Sequence, residues 1–248
     1  MIEHCFLLLE RINKGMQQVF YDQGILTWDD FLKKTEIKGL SNQRKHFYDK
    51  RLLEAKQALN RNDSEFFTNK LPHSEAWRLY DFFRDEAVFL DIETSGWYTD
   101  VTVVGLFDGF KTLTMVKGIN LDGKILKRHL KRYKLIVTYN GLSFDTVVLN
   151  KYYPGVIPPI PHFDLRFHCD RIGLKGGLKA VELTLGISRE TGGLTGSDAV
   201  FLWHAYKSSG NLKHLHTLIA YNEEDIVNLK PIAEHVVRVN REAVPSLR

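Results

Sequence analysis

Two acids end a short apolar run in this sequence. Asp91 and Glu93 follow Ala-Val-Phe-Leu and flank Ile92. A short apolar run bounded by polar residues indicates a buried β-strand. Successive side chains of a strand point to opposite faces, so Asp91 and Glu93 are expected to project together. Like charges on one face repel, and a bound cation is one reason to place them there; a solvated strand end is the alternative.

Two later segments also carry acids. Asp145 ends the segment Tyr-Asn-Gly-Leu-Ser-Phe-Asp, in which Asn-Gly is typical of a turn, so Asp145 is predicted to lie near the start of a helix. A capping acid would fit that position equally well. Asp225 stands four residues after Tyr221 in a helical pattern, so the two side chains share one face. A tyrosine one turn from an acid suits the orientation of a water molecule beside a metal ion, although simple packing on a surface helix would give the same pair.

These residues share the chemistry of a hard metal site. The four acids concerned are Asp91, Glu93, Asp145 and Asp225. Carboxylate oxygens are the ligands that Mg²⁺ and Mn²⁺ prefer, and two such ions about 4 Å apart activate water and stabilise the leaving oxygen in phosphodiester hydrolysis. The sequence contains no nucleophile elbow, the motif that would indicate a serine hydrolase. Two further acids, Asp164 and Asp198, are interpreted as structural.

The predicted secondary structure divides the chain into two regions, and the second contains the elements that must position these acids. Residues 1–86 are polar and helical in pattern, with helices predicted from Thr27, over 41–60 and over 74–83. The predicted elements of residues 87–248 are strands at 87–92, 101–107 and 111–117, a helix at 124–133, a strand at 134–139, then mostly helices with a short strand near 162–165. Asp108-Gly109 predicts a hairpin between the second and third strands. This order indicates the α/β class, with a mixed sheet covered by helices.

Composition limits the class of protein. The chain has 248 residues, 44% apolar and 26% charged, which excludes disordered, collagenous and low-complexity proteins. No apolar run reaches the length of a membrane span, and the first residues lack the basic start of a secretory signal. With two cysteines, the protein is expected to be cytoplasmic with reduced thiols. Its net charge of +4 lies entirely in residues 87–248, which permits a polyanionic partner without requiring one.

In order and spacing, the acidic segments resemble the DEDD exonucleases of the ribonuclease H-like superfamily, in the subclass marked by tyrosine. The shared motifs are Asp-x-Glu on the first strand, Asp after Tyr-Asn-Gly, and Tyr-x-x-x-Asp on a late helix. The resemblance covers residues 87–235, including Gly-Gly-Leu-Lys at 176–179, and is nearest to the YprB-like predicted nucleases. It implies a mixed five-stranded sheet flanked by helices, preceded by an N-terminal helical region.

The resemblance also implies a function. It is that of a 3′–5′ exonuclease hydrolysing phosphodiester bonds of nucleic acid, single-stranded DNA before RNA, with two divalent cations, Mg²⁺ or Mn²⁺. By the same resemblance, Asp91 would bridge both ions, Glu93 and Asp225 would hold the ion that carries the attacking water, Asp145 would act near the second ion, and Tyr221 would orient the water. Two alternatives stay open: a nuclease fold that binds nucleic acid or a partner without cutting, and a structure-selective endonuclease.

Other residues are candidates for substrate contact. Those proposed from their position near the acids, or from their charge, are Thr94, Asn140, Phe144, Arg166 and Lys175. Phe144 is suited to stacking on a base, with packing in the core as the alternative. Residues 188–197 are rich in glycine and are expected to be mobile and to gate the site.

The N-terminal region has a weaker pattern. Residues 6–32 resemble a degenerate helix-hairpin-helix, in which Arg11 and Asn13 stand where glycines would contact DNA phosphates through backbone N–H groups. Residues 1–86 also carry no net charge. We therefore expect a structural role for this region, or one in binding a protein partner.

Overall fold

A five-stranded sheet forms the centre of the protein. The computed structural model describes residues 1–96 and 100–244. The strands are β1 (Ala87–Thr94), β2 (Val101–Phe107), β3 (Thr112–Val116), β4 (Leu135–Thr138) and β5 (His162–Asp164). Their order across the sheet is β3-β2-β1-β4-β5. β1, β2 and β3 pair antiparallel, whereas β4 runs parallel to both β1 and β5. The predicted mixed sheet of an α/β protein is confirmed.

Helices cover the sheet and form the N-terminal region. They are α1 (Lys14–Asp22), α2 (Trp28–Lys33), α3 (Asn42–Asn60), α4 (Tyr80–Phe83), α5 (Gly123–Leu130), α6 (Asp145–Tyr152), α7 (Leu165–Arg171), α8 (Leu178–Leu185), α9 (Gly196–Ser209) and α10 (Leu212–Glu242). Within the described parts of the chain, no helix combines the length and the apolarity that crossing a lipid bilayer requires.

The hairpin between β2 and β3 forms where Asp108-Gly109 predicts it. Asp108 Oδ1 accepts hydrogen bonds from the backbone N–H groups of Phe110 and Lys111, at 2.9 and 2.8 Å. Gly109 has a φ of +94°, in the region where a side chain would be strained. The turn residues therefore fix the antiparallel return of the chain.

The alternation of β1 decides where its acids lie. Val88, Leu90 and Ile92 pack in one hydrophobic cluster with α5 and α6. Phe89 points the other way and packs in a second cluster, which includes Ile226 of α10. Residues 91 and 93 continue the alternation of Phe89, so they face α10.

Residues 1–86 contain no strand, as predicted. α2 begins after Thr27, whose side chain forms a capping box with Asp30, and the helix predicted over 74–83 is a 3₁₀ helix followed by the single turn α4. Trp28 and Phe31 are fully buried in the same cluster as Phe89. The N-terminal helices therefore share a hydrophobic core with the α10 face of the sheet.

Candidate active site

Three acids from two elements meet between β1 and α10. One carboxylate oxygen from each of Asp91, Glu93 and Asp225 lies within 4.8 Å of the others. Glu93 and Asp225 are buried, and Asp91 is half-buried. Residues 134 positions apart in the chain thus share one small volume because α10 packs along β1 and β2.

A glycine in β2 allows α10 to come this close. Gly105 is the Cα partner of Asp91 across the antiparallel pair. A Cβ at Gly105 would lie 2.1 Å from Asn222 Oδ1, so a side chain there would displace Asn222. In the observed packing, Asn222 Nδ2 donates a 2.8 Å hydrogen bond to Asp91 Oδ2. The glycine in the middle of an apolar strand was a signal of close approach that the sequence analysis did not use.

α10 presents Tyr221 one turn before Asp225. The helix starts at an Asn211 cap, whose side chain accepts from Lys213 N at 3.0 Å, and continues for 31 residues. Tyr221 is only 5% exposed and packs in a cluster with Trp203 and Leu218. Burial raises the pKa of Tyr221 above its ordinary value, so its hydroxyl keeps its proton at neutral pH.

Asp145 lies beside the three acids but outside their 4.8 Å group. It is the first residue of α6 and is 3% exposed. Its Oδ1 accepts a 3.1 Å hydrogen bond from the backbone N–H of Ile92, between the two acids of β1. Burial raises the pKa of Asp91, and the negative charge of Asp145 raises it further.

Burial raises the pKa values of all four carboxyls. Desolvation is the larger cause in each, and neighbouring acids add to it. The pKa values of Asp91 and Glu93 lie well above their usual range, that of Asp145 rises to about 7, and that of Asp225 to about 6. Such a cluster would be stabilised by a cation.

Two basic side chains also reach this cluster. Arg189 Nη2 donates to Asp225 Oδ1 at 2.5 Å, and its charge opposes the rise in the pKa of that acid. Lys179 Nζ lies 4.7 Å from the centroid of the Tyr221 ring, and its charge lowers the pKa values of Glu93 and Asp225. Arg189 was not predicted as a site residue, because it belongs to a segment that was expected to be mobile.

The donor set fits a hard divalent ion. Asp91, Glu93 and Asp225 offer only carboxylate oxygens, and Asp145 adds a fourth carboxyl beside them. Mg²⁺ and Mn²⁺ prefer such oxygens over sulfur and nitrogen ligands. Lys179 opposes the rise in the pKa of Glu93, and Arg189 and Lys179 oppose that of Asp225, but neither cation cancels the effect of burial.

The five predicted substrate contacts lie in different environments. Thr94 is half-buried at the end of β1, Phe144 packs partly buried against the cluster that includes Val148, and Lys175 is exposed between α7 and α8. Asn140 and Arg166 line a cavity of about 300 Å³.

The two acids interpreted as structural both stabilise the start of a helix. Asp164 is 6% exposed and accepts from the backbone N–H groups of Asn140, Leu142 and Arg166 at 2.8, 3.0 and 3.1 Å. Asp198 forms a capping box with Thr195 at the start of α9.

Comparison with known proteins gives one family. The family model RNase_H_2, described as RNase_H superfamily, matches residues 88–237. A search of curated proteins finds no match. Domains of this fold are typically nucleases that use divalent metal ions, which indicates a nuclease-type nucleic-acid hydrolase. The match extends over more than half of the chain and contains all four acids: the protein belongs to the ribonuclease H superfamily.

Proposed function

We propose that this protein is a divalent-metal-dependent 3′–5′ exonuclease of the DEDD class, in the tyrosine-marked subclass and near the YprB-like group. The observation that carries the proposal is the meeting of Asp91, Glu93 and Asp225 within 4.8 Å, with Tyr221 one helical turn away. The order of the motifs supports the subclass. The direction of digestion and the preference for single-stranded DNA over RNA come from the resemblance.

The four acids and Tyr221 have distinct roles in this proposal. Asp91, Glu93 and Asp225 would hold metal directly, and Asp145 would act at a second ion, Mg²⁺ or Mn²⁺ in both places. Bound divalent ions lower the pKa of a coordinated water and neutralise charge on the scissile phosphate. Because the Tyr221 hydroxyl stays protonated, it would donate a hydrogen bond and orient the water rather than remove its proton.

Substrate would approach past the residues around the acids. Thr94 and Asn140 are proposed to contact the terminal nucleotide, and Phe144 its base. Arg166 and Lys175 are both exposed and basic, and are proposed to contact phosphate. The shared core of residues 1–86 supports a structural role for the N-terminal helices, and a protein partner bound through them remains a proposal.

One experiment separates the proposed activity from its rivals. Purified protein is incubated with 5′-labelled single-stranded DNA and RNA, with Mg²⁺, with Mn²⁺, and with chelator. We expect a ladder of products shortened stepwise from the 3′ end, lost with chelator. Internal cuts would identify an endonuclease, and a shifted but uncut band would identify a binding module; either result contradicts the exonuclease.

The binding module is kept as a second candidate because of one contact. The Arg189 guanidinium already pairs with Asp225, so a protein cation meets one of the proposed ligands. A fold that had lost its metal would retain such a pair. Saturable Mn²⁺ binding by the wild-type protein would exclude a binding module that has lost its metal site.

A further inference from the structure

We propose that Arg189 is a positioning residue of the metal site, which fixes the carboxylate of Asp225 by tying it to the buried acid Glu182. The inference rests on the proposed function only in that Asp225 is taken to be a metal ligand. Arg189 lies in the segment after α8, which belongs to none of the acidic motifs identified in the sequence.

The guanidinium of Arg189 connects Glu182 to Asp225. Its Nη1 lies 2.8 Å from both oxygens of Glu182, and its Nη2 lies 2.5 Å from Asp225 Oδ1. The Arg189 side chain is 9% exposed and that of Glu182 is 1% exposed. Glu182 Oε1 also accepts a 2.9 Å hydrogen bond from Asn228 Nδ2, one turn along α10 from Asp225. The bridge is therefore buried and anchored at its far end.

The backbone that carries Arg189 is itself held on α10. Glu224 accepts hydrogen bonds from the backbone N–H groups of Glu190 and Thr191 and from the Thr191 hydroxyl. Glu224 Oε2 also lies 3.2 Å from Arg189 Nε. Glu224 thus fixes the segment, and the segment places the guanidinium against the next residue of the helix, Asp225.

Charge distinguishes this arrangement from simple neutralisation of the acidic cluster. Arg189 and Glu182 together carry no formal net charge, so the pair does little to neutralise Asp91, Glu93 and Asp225 as a group. What the pair adds is orientation: Nη2 holds Oδ1 of Asp225, and the proposal is that this contact aims the second oxygen at the cation. Partners of this kind, which hold a ligand through its other atom, typically change metal affinity 10–100-fold.

The test removes the bridge without changing the net charge. In the double variant Arg189→Met/Glu182→Gln, Gln can still accept from Asn228 while the tie to Asp225 is lost. We expect the dissociation constant for Mn²⁺, measured by titration calorimetry without nucleic acid, to rise at least about tenfold. Arg189→Lys keeps the charge but cannot bridge both acids in the same geometry, so we expect a smaller rise of several-fold.

A second buried pair provides the matched control. Arg78 Nε lies 2.7 Å from Glu75 Oε2, with both side chains under 10% exposed, in the region packed against the far end of α10. Arg78→Met/Glu75→Gln should leave the dissociation constant for Mn²⁺ at the wild-type value. Circular dichroism of every variant checks the fold.

Each outcome decides between the two proposals. Wild-type or tighter Mn²⁺ binding by the Arg189→Met/Glu182→Gln variant would overturn the positioning role. If that variant does not fold, wild-type affinity in Arg189→Lys overturns it instead. Wild-type protein that binds Mn²⁺ but cuts neither DNA nor RNA would defeat the proposed function and leave the positioning role standing. Wild-type protein that binds no Mn²⁺ defeats both.

Discussion

Buried and half-buried acids lie in the last halves of two strands of the sheet, β5 and β1, but they differ in what surrounds them. Asp164 on β5 receives three backbone N–H groups, all within 3.1 Å. On β1, the Asp91 carboxylate accepts from Asn222, and the Glu93 carboxylate has no hydrogen-bond donor within residues 1–96 and 100–244. Both β1 acids also face like-charged neighbours. A buried acid with a full set of donors holds the chain in place, whereas acids that have few donors and repel one another are arranged for a cation.

The largest effect should come from the β1 cluster. Asp91→Asn keeps the shape of the side chain but removes the charge, and we expect hydrolysis to fall at least about 10³-fold because metal ions supply several kcal/mol of transition-state stabilisation. Initial rates with Mn²⁺ and a labelled oligonucleotide measure this. Glu223→Gln is the control, since Glu223 lies on α10 but binds Thr114 of β3. If Asp91→Asn cleaved at the wild-type rate, the β1 acids could not be distinguished from the structural acid of β5 by a role in metal binding.

A smaller effect on rate is expected from the tyrosine beside the cluster. Tyr221→Phe keeps the packed ring and removes only the hydroxyl, so hydrolysis should slow about 10²-fold while the dissociation constant for Mn²⁺ stays unchanged. Tyr206→Phe, a change of the same kind on the neighbouring α9, serves as control. Loss of Mn²⁺ affinity in Tyr221→Phe would show that the hydroxyl supports the metal site rather than the water.

The β5 acid should affect stability and not metal binding. Asp164→Ala leaves three backbone N–H groups without their charged acceptor, and we expect the free energy of unfolding to fall by about 3 kcal/mol. Urea unfolding measures the loss, and calorimetry should show an unchanged affinity for Mn²⁺. Asp198→Ala, which removes one half of the capping box of α9, should lower the free energy of unfolding by less than Asp164→Ala does. A large change in Mn²⁺ affinity in Asp164→Ala would make Asp164 part of the metal site.

The smallest effect is a dependence of stability on pH in metal-free protein. The pKa of Asp145 is about 7 in the folded state, above that of an unfolded aspartate, so the folded state binds more protons and loses stability as the pH rises. Between pH 6.5 and 8 we expect Asp145 alone to account for about 1 kcal/mol of this loss. The buried His162 and His168, with pKa values lowered to about 3 and 4, are neutral throughout that window.

Melting temperatures of chelator-treated protein at pH 6.5 and pH 8 test this expectation. The fall should be smaller in Asp145→Asn, and saturating Mn²⁺ should oppose it, since a ligand that binds only the folded state raises stability. A metal-free protein that is more stable at pH 8 would contradict the raised pKa values.

Local patterns predicted most of the fold. The apolar run before Asp91 and the Asp108-Gly109 turn indicated the strands correctly because strand alternation and turn conformation depend on neighbouring residues. The 3₁₀ form of His73–Leu79 was not predicted, since its apolar spacing does not distinguish 3₁₀ from α geometry over a single short element.

The candidate site was predicted less evenly. Asp91, Glu93 and Asp225 were identified together through the resemblance, and the structure brings them within 4.8 Å. Arg189 was not identified, because nothing in a glycine-rich segment indicates which distant acid its arginine will meet. Its contact with Asp225 joins residues 36 positions apart.

The sequence by itself determined which side chains share a face: Asp91 with Glu93 through the two-residue period of a strand, and Tyr221 with Asp225 through the turn of a helix. These relations need only the backbone conformation of a few residues. Only the tertiary structure decided that α10 lies against Gly105, that Asn222 therefore reaches Asp91, and which charges oppose the acids. Such contacts depend on the packing of whole elements, which no single segment of the chain encodes.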